Sequence, residues 1–159
     1  MQHRQWRKAS QGFTVTEIVF AVAVGIVVLV LLIWGYRAYQ EYNAKYTGAW
    51  SAAPATISPA PGTGTFVYHV SRQLDAISPA TNAVGRSLKF DMSVTQMDGK
   101  IVSCNGTAIP SPGKTCTADT DANGNVTIIV SLEQQGQANL VATDVKSKAA
   151  DPPQAFSAP

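Results

Sequence analysis

The chain has few of the residues from which catalytic and metal sites are built. It contains two histidines and two cysteines, and only 14% of its 159 residues are Asp, Glu, Lys or Arg. His3 lies close to the N-terminus, which leaves His69 as the only imidazole in the rest of the chain. We find no pattern of nucleophile, base and orienting group, and no phosphate-binding loop. The sequence therefore predicts a protein that is not an enzyme.

Acidic residues are absent from the first twelve positions, which contain Arg4, Arg7 and Lys8. The rest of the chain is close to neutral, so no basic surface indicates nucleic acid as the main partner. A short basic segment before an apolar run is typical of an N-terminus that stays in the cytoplasm.

Charged residues are also missing from Ile18 to Trp34, directly after Glu17. A helix from Phe13 to Trp34 would measure about 33 Å, which is enough to cross a bilayer. Tyr36 and Tyr39 follow, as expected where a helix leaves lipid for the headgroup layer. A cleaved secretory signal is disfavoured because small residues suited to cleavage occur only near 51–53. An uncleaved signal anchor remains open on hydropathy alone.

The segment GFTVTE places Gly12, Phe13, Thr14 and Glu17 between the basic leader and the apolar run. This arrangement resembles the class III signal of type IV pilins and of type II secretion pseudopilins. The resemblance implies cleavage by a prepilin peptidase between Gly12 and Phe13, followed by N-methylation of Phe13. The apolar segment would then remain on the mature protein.

A carboxylate beside the hydrocarbon region costs about 2.5–3.5 kcal/mol on insertion scales, so Glu17 needs a partner. The resemblance implies that Glu17 neutralises the N-terminal amine of Phe13 in a neighbouring subunit during assembly. A pair between Glu17 and the amine of its own chain is the milder alternative.

The resemblance also implies a function, partners and a location. The chain would form a homopolymer or join other pilins, on an inner-membrane assembly platform with a cytoplasmic ATPase. It would cross the inner membrane once with its head in the periplasm, and then enter an extracellular pilus or a periplasmic pseudopilus. The fibre would serve adhesion, motility, DNA uptake or conjugation. A pseudopilin is the first alternative, and a monomeric membrane-anchored periplasmic binding domain is the second.

The expected fold class is α+β, with a long N-terminal helix packed on a small antiparallel β-sheet head, as in type IV pilins. The expected segments are a leader (1–12), an assembly helix (13–47), a Pro/Gly/Ala-rich linker (48–65), the head (66–145) and a flexible tail (146–159). Tyr36, Tyr39, Tyr42 and Tyr46 recur at helical spacing and should form one stripe that packs on the head.

Within the head, apolar spacing predicts a short helix over 66–77. Alternating residues over 88–95 predict a strand, and Asp98-Gly99 predicts a hairpin turn into the strand that ends at Cys104. Two further strands over 125–133 and 139–145 would complete a meander of about four strands.

Cys104 and Cys116 both follow the apolar run, so a cytoplasmic leader would place them in an oxidising compartment. Two cysteines there most simply form one disulfide, which is worth about 3 kcal/mol in the entropic model. The resemblance implies that the enclosed loop is exposed on the fibre.

Asp119, Asp121 and Asn123 alternate before Gly124, as in the first half of a calcium loop. The twelfth position of such a loop would be Val130 rather than a bidentate Glu. The same residues are typical of a turn before a strand, so a turn is the expected structure and calcium is the weaker alternative.

Overall fold

The computed structural model describes residues 14–54, 56–57, 61–95, 98–109 and 113–159. The chain divides into two compact units, with the boundary between Asn43 and Ala44. In the described residues, the first unit contains one helix, and the second unit, called the head below, contains β-strands. The predicted α+β class, with one long N-terminal helix and an antiparallel β head, is confirmed.

Helix α1 spans Val15–Asn43, which is 29 residues and about 43 Å. None of its residues is buried. It ends where the Asn43 side-chain amide donates a hydrogen bond to the carbonyl of Tyr39 at 3.0 Å. The expected continuation of the helix to residue 47 is wrong, because the first strand of the head already begins at Lys45.

The head contains ten strands within the described residues. They are β1 (Lys45–Ala52), β2 (Gly62–Gln73), β3 (Thr81–Asn82), β4 (Ser87–Thr95), β5 (Gly99–Cys104), β6 (Thr107–Ala108), β7 (Thr115–Asp119), β8 (Asn125–Leu132), β9 (Gly136–Asp144) and β10 (Gln154–Ala158).

These strands form two antiparallel sheets around one core. The first sheet has the order β1-β2-β8-β5-β6 with β3 beside β2, and the second has the order β10-β9-β4-β7. Strand β8 shows the alternation clearly, with Val126, Ile128 and Val130 fully buried. Between the sheets, Trp50 meets Phe90 with ring centroids 6.1 Å apart. The head is therefore a β-sandwich.

The predicted meander is wrong in its connections. Strands β4 and β5 were expected to form a hairpin through Asp98-Gly99, yet they belong to different sheets. The same holds for β8 and β9. Alternation identifies which face of a strand is buried, but both inner faces of a sandwich are buried alike, so it does not identify the neighbouring strand.

The predicted helix over 66–77 is also wrong, because most of this segment belongs to β2. Phe66, Tyr68 and Val70 are buried at a spacing of two residues. Ile77, which would have belonged to an apolar helix face, is 97% exposed. The β-branched and aromatic residues of this segment favour a strand, and the burial of alternate residues against the core stabilises the strand over a helix.

The segments expected to be a linker and a flexible tail contain strands as well. Strand β1 extends into the expected linker, and Ile57 there is buried and donates its N–H to the carbonyl of Ser157 at 2.8 Å. The expected tail contains β10, which pairs with β9 and buries Phe156. The tail prediction is wrong because one buried aromatic ring and a full strand pairing hold the C-terminus.

Candidate functional site

The polar start of α1 is built from two side chains that hydrogen-bond to each other. The Thr14 N–H donates to Oε2 of Glu17 at 2.8 Å, and the Thr14 hydroxyl donates to the same oxygen at 3.0 Å. The Glu17 N–H in turn donates to Oγ1 of Thr14 at 3.3 Å. This reciprocal pattern is a capping box, which satisfies N–H groups that the first helical turn leaves free.

The capping box gives Glu17 a role within its own chain. Its negative charge also lies at the positive end of the helix dipole, where carboxylates are stabilising. The resemblance to a prepilin signal did not predict this role of Thr14, although the spacing Thr-x-x-Glu is the sequence signature of a capping box. Gly12 and Phe13, the expected cleavage and methylation residues, lie outside the described residues, so the pairing of Glu17 with an N-terminal amine stays a prediction.

After Glu17, α1 presents an apolar surface. The helix is long and apolar enough to cross a membrane, by length and composition. Its large side chains are exposed, including Phe20 at 71% and Leu31 at 65%. A surface of this size needs an apolar environment, because about 25 cal/mol is gained for each Å² of apolar area removed from water.

The second half of α1 carries exposed aromatic residues, namely Trp34, Tyr36, Tyr39 and Tyr42. Rings with one apolar and one polar end are typical of a membrane–water interface. Tyr46 does not continue the predicted helical stripe, since it lies in β1. Its ring instead lies under the guanidinium of Arg86, whose central carbon is 3.9 Å from the ring centroid.

Cys104 and Cys116 form the expected disulfide, with Cα atoms 6.6 Å apart. Cys104 ends β5 in the first sheet, and Cys116 lies in β7 of the second, so the bond links the two sheets. Asn105, which begins the enclosed loop, donates its side-chain amide to the carbonyl of Asp119 at 2.7 Å. Its side-chain oxygen accepts from the Thr127 N–H at 2.8 Å. The N-terminal end of the enclosed loop, at Asn105, is therefore fixed by hydrogen bonds as well as by the disulfide.

The segment considered for calcium contains a tight turn. One oxygen of Asp121 accepts the N–H groups of Asn123 and Asn125, each at 2.8 Å. Gly124 has a φ of 74°, which favours glycine in this turn. Within the described part of the chain, no three His, Cys, Asp or Glu side chains are grouped so that they could hold a metal ion. The turn is present, while calcium binding at Asp119, Asp121 and Asn123 stays a prediction.

Comparisons with known proteins give little further information. No protein-family model matches the chain, and no curated protein matches it. Among solved structures, the chain is similar to the crystal structure of a FixG-related protein from Vibrio parahaemolyticus, with a TM-score of 0.30 and 11% identity. The match covers 73% of this chain and 96% of the other. A similarity of this size establishes neither a shared fold nor a shared function.

Proposed function

We propose that the chain is a structural subunit of a type IV pilus-like fibre, stored in a membrane and polymerised through α1. The observation that carries this proposal is the exposed apolar surface of α1 behind a carboxylate. Lipid would cover this surface before assembly, and the helices of other copies would cover it in a fibre. The resemblance of the segment from Gly12 to Glu17 to a prepilin signal adds the processing step.

The proposed location follows from the same features. The basic leader favours a cytoplasmic N-terminus, and α1 would cross the inner membrane once. The head would then lie in the periplasm, where an oxidising environment suits the disulfide. Prepilin peptidase and an assembly platform with its ATPase are the partners that this route requires. A pseudopilin of type II secretion would use the same route and the same partners.

A second candidate function is a monomeric membrane-anchored domain, and the capping box favours it. Because Thr14 supplies hydrogen bonds to Glu17, the carboxylate does not depend on another subunit to be satisfied. In that case Glu17 begins the helix and has no role in assembly.

The two candidates differ in what happens to the N-terminus and to Glu17. We expect the intact mass of the protein from its native cells, with N-terminal sequencing, to show a chain that begins at a methylated Phe13. We also expect Glu17→Ala to insert into the membrane normally but to be absent from fibres sheared from the cells.

Thr14→Val is the matched control for Glu17→Ala, because it removes the threonine hydroxyl of the capping box and retains the carboxylate. Under the fibre proposal, Thr14→Val enters fibres and Glu17→Ala does not. If neither variant changes recovery in the sheared fraction, or if the native chain still begins at Met1, the monomeric anchor is the better description.

A further inference from the structure

A small cavity opens at one end of the head, where β1 and β2 meet the loop after β9. Its volume is about 60 Å³, and its polar lining consists of Tyr46, Tyr68, Asp144, Ser147 and Asp151. We call it the Tyr68 cavity. Because one water needs about 10–15 Å³ of cavity volume, the cavity has room for a small ion and a few waters.

Two polar groups in the Tyr68 cavity have no protein partner. Tyr68 is only 3% exposed, yet its hydroxyl makes no hydrogen bond to any residue that the structure describes. The side chain of Asp151 accepts none from those residues either, and burial raises the pKa of its carboxyl. Neither oxygen is fully shielded from solvent, so both are accessible to a ligand in the cavity.

Gly48 makes room for the Tyr68 hydroxyl in the wall of the cavity. A Cβ atom at this position would overlap the Tyr68 hydroxyl and would lie 2.6 Å from Oδ2 of Asp151. The hydroxyl and the carboxylate therefore lie close together beside Gly48, and any side chain at position 48 would displace the hydroxyl.

The second carboxylate of the cavity is already satisfied. Asp144 receives a hydrogen bond from the Arg86 Nη2 at 2.9 Å and further bonds from the N–H groups of Lys146 and Ser147. The charge of Arg86 balances that of Asp144, so the uncompensated charge of the cavity is that of Asp151. One positive charge would neutralise it.

We propose that the Tyr68 cavity binds a single small ammonium group, either a free amine or the end of a lysine side chain from another protein. The carboxylate of Asp151 would pair with the charge, and the Tyr68 oxygen would accept an N–H. Calcium fits less well, because it takes six to eight oxygen ligands and the wall offers one unused carboxylate.

The test uses the full chain in detergent micelles and follows thermal unfolding of the head. Methylammonium chloride should raise the Tm by roughly 3–8 °C at about ten times its Kd, relative to sodium chloride at equal ionic strength. Asp151→Asn should abolish this rise, and Tyr68→Phe should reduce it. Asp91→Asn is the matched control and should keep the full rise, because Asp91 is paired with Lys89 at the surface.

A direct contact measurement keeps the proposal testable if a variant does not fold. In the wild-type protein, NMR should show contacts between the methyl group of methylammonium and the ring of Tyr68. Absence of both the Tm rise and these contacts overturns the proposal, as does a larger rise with calcium chloride.

The source of the ammonium group is decided with a second probe, Nα-acetyl-lysine amide. Tighter binding of this compound than of methylammonium supports a lysine of another protein as the ligand. Tighter binding of methylammonium supports a free amine. In either case the response must disappear in Asp151→Asn, since a response that persists there means that the amine binds elsewhere.

Discussion

Replacing Arg86 by methionine should destabilise the head by about 3–5 kcal/mol, because it leaves the largely buried carboxylate of Asp144 without its cation. The Arg86 and Asp144 side chains are only 11% and 12% exposed. Their two hydrogen bonds join the guanidinium fork to both carboxylate oxygens. The substitution also removes the cation from the ring of Tyr46, which adds about 0.5–2 kcal/mol in such contacts.

The loss should depend on pH in a defined direction. Burial of Asp144 raises its pKa, but hydrogen bonds from Arg86 and Ser147 together with the charge of Arg86 outweigh it, so the pKa is lowered. In the wild type this contribution to stability is complete above the unfolded pKa of about 3.9 and is lost as the pH falls through the folded value. In Arg86→Met, burial raises the pKa of Asp144 and fewer interactions oppose it. Protonation of Asp144 then removes the cost of burying an unpaired charge. The difference between the two proteins should therefore shrink below about pH 4.

Equilibrium urea unfolding of the full chain in micelles measures this difference. Trp50 lies in the head among aromatic rings and serves as the fluorescent probe when Trp6 and Trp34 are replaced by phenylalanine. Lys89→Met is the matched control, since the ion pair of Lys89 with Asp91 is 50% and 40% exposed and should contribute less than about 1 kcal/mol. Equal losses in the two variants, or a loss in Arg86→Met that does not change between pH 7 and pH 3.5, would refute the reasoning.

Two further predictions concern how the strands are held together. Replacing both Cys104 and Cys116 by serine should lower the free energy of unfolding by about 3 kcal/mol, measured as a shift in the urea midpoint, because the unfolded chain regains the freedom of the closed loop. Phe156→Ala should cost about 3–5 kcal/mol by the same measurement, because the ring is 3% exposed and packs on Phe66 with centroids 4.7 Å apart.

Each of these predictions has its own control. Wild-type protein in reductant should unfold at the same midpoint as the double serine variant, and a midpoint unmoved by reductant would show that the disulfide contributes nothing. Ala155→Ser changes an exposed neighbour on β10 and should cost little. If it costs as much as Phe156→Ala, burial of the ring does not hold the C-terminal strand.

The sequence was sufficient to predict the features that depend on residues close together along the chain. The apolar run predicted α1 because a long uncharged segment in lipid must close its hydrogen bonds internally. Alternation predicted β4, with Leu88, Phe90 and Met92 all buried. The capping box was present as Thr14 and Glu17, although these residues were assigned to the processing signal and, for Glu17, to assembly.

The sequence was not sufficient for features that depend on distant residues. Arg86 and Asp144 are 58 positions apart, and neither belongs to a local motif that would predict the pair. The Tyr68 cavity likewise requires β1, β2 and the loop after β9 to meet. Assignment of strands to two sheets was missed for the same reason, since local patterns do not specify which strands pair.

The order of strands has a consequence for the time at which the head can fold. In the first sheet, β2 pairs with β8. The paired residues that are closest in the sequence, His69 and Asn125, are still 56 positions apart. In the second sheet, β9 lies between β4 and β10, the last strand of the chain. Neither sheet can form all of its strand pairings until most of the chain has been synthesised. Non-local pairings of this kind fold on millisecond to second timescales, so each new copy spends a period with unpaired strand edges exposed.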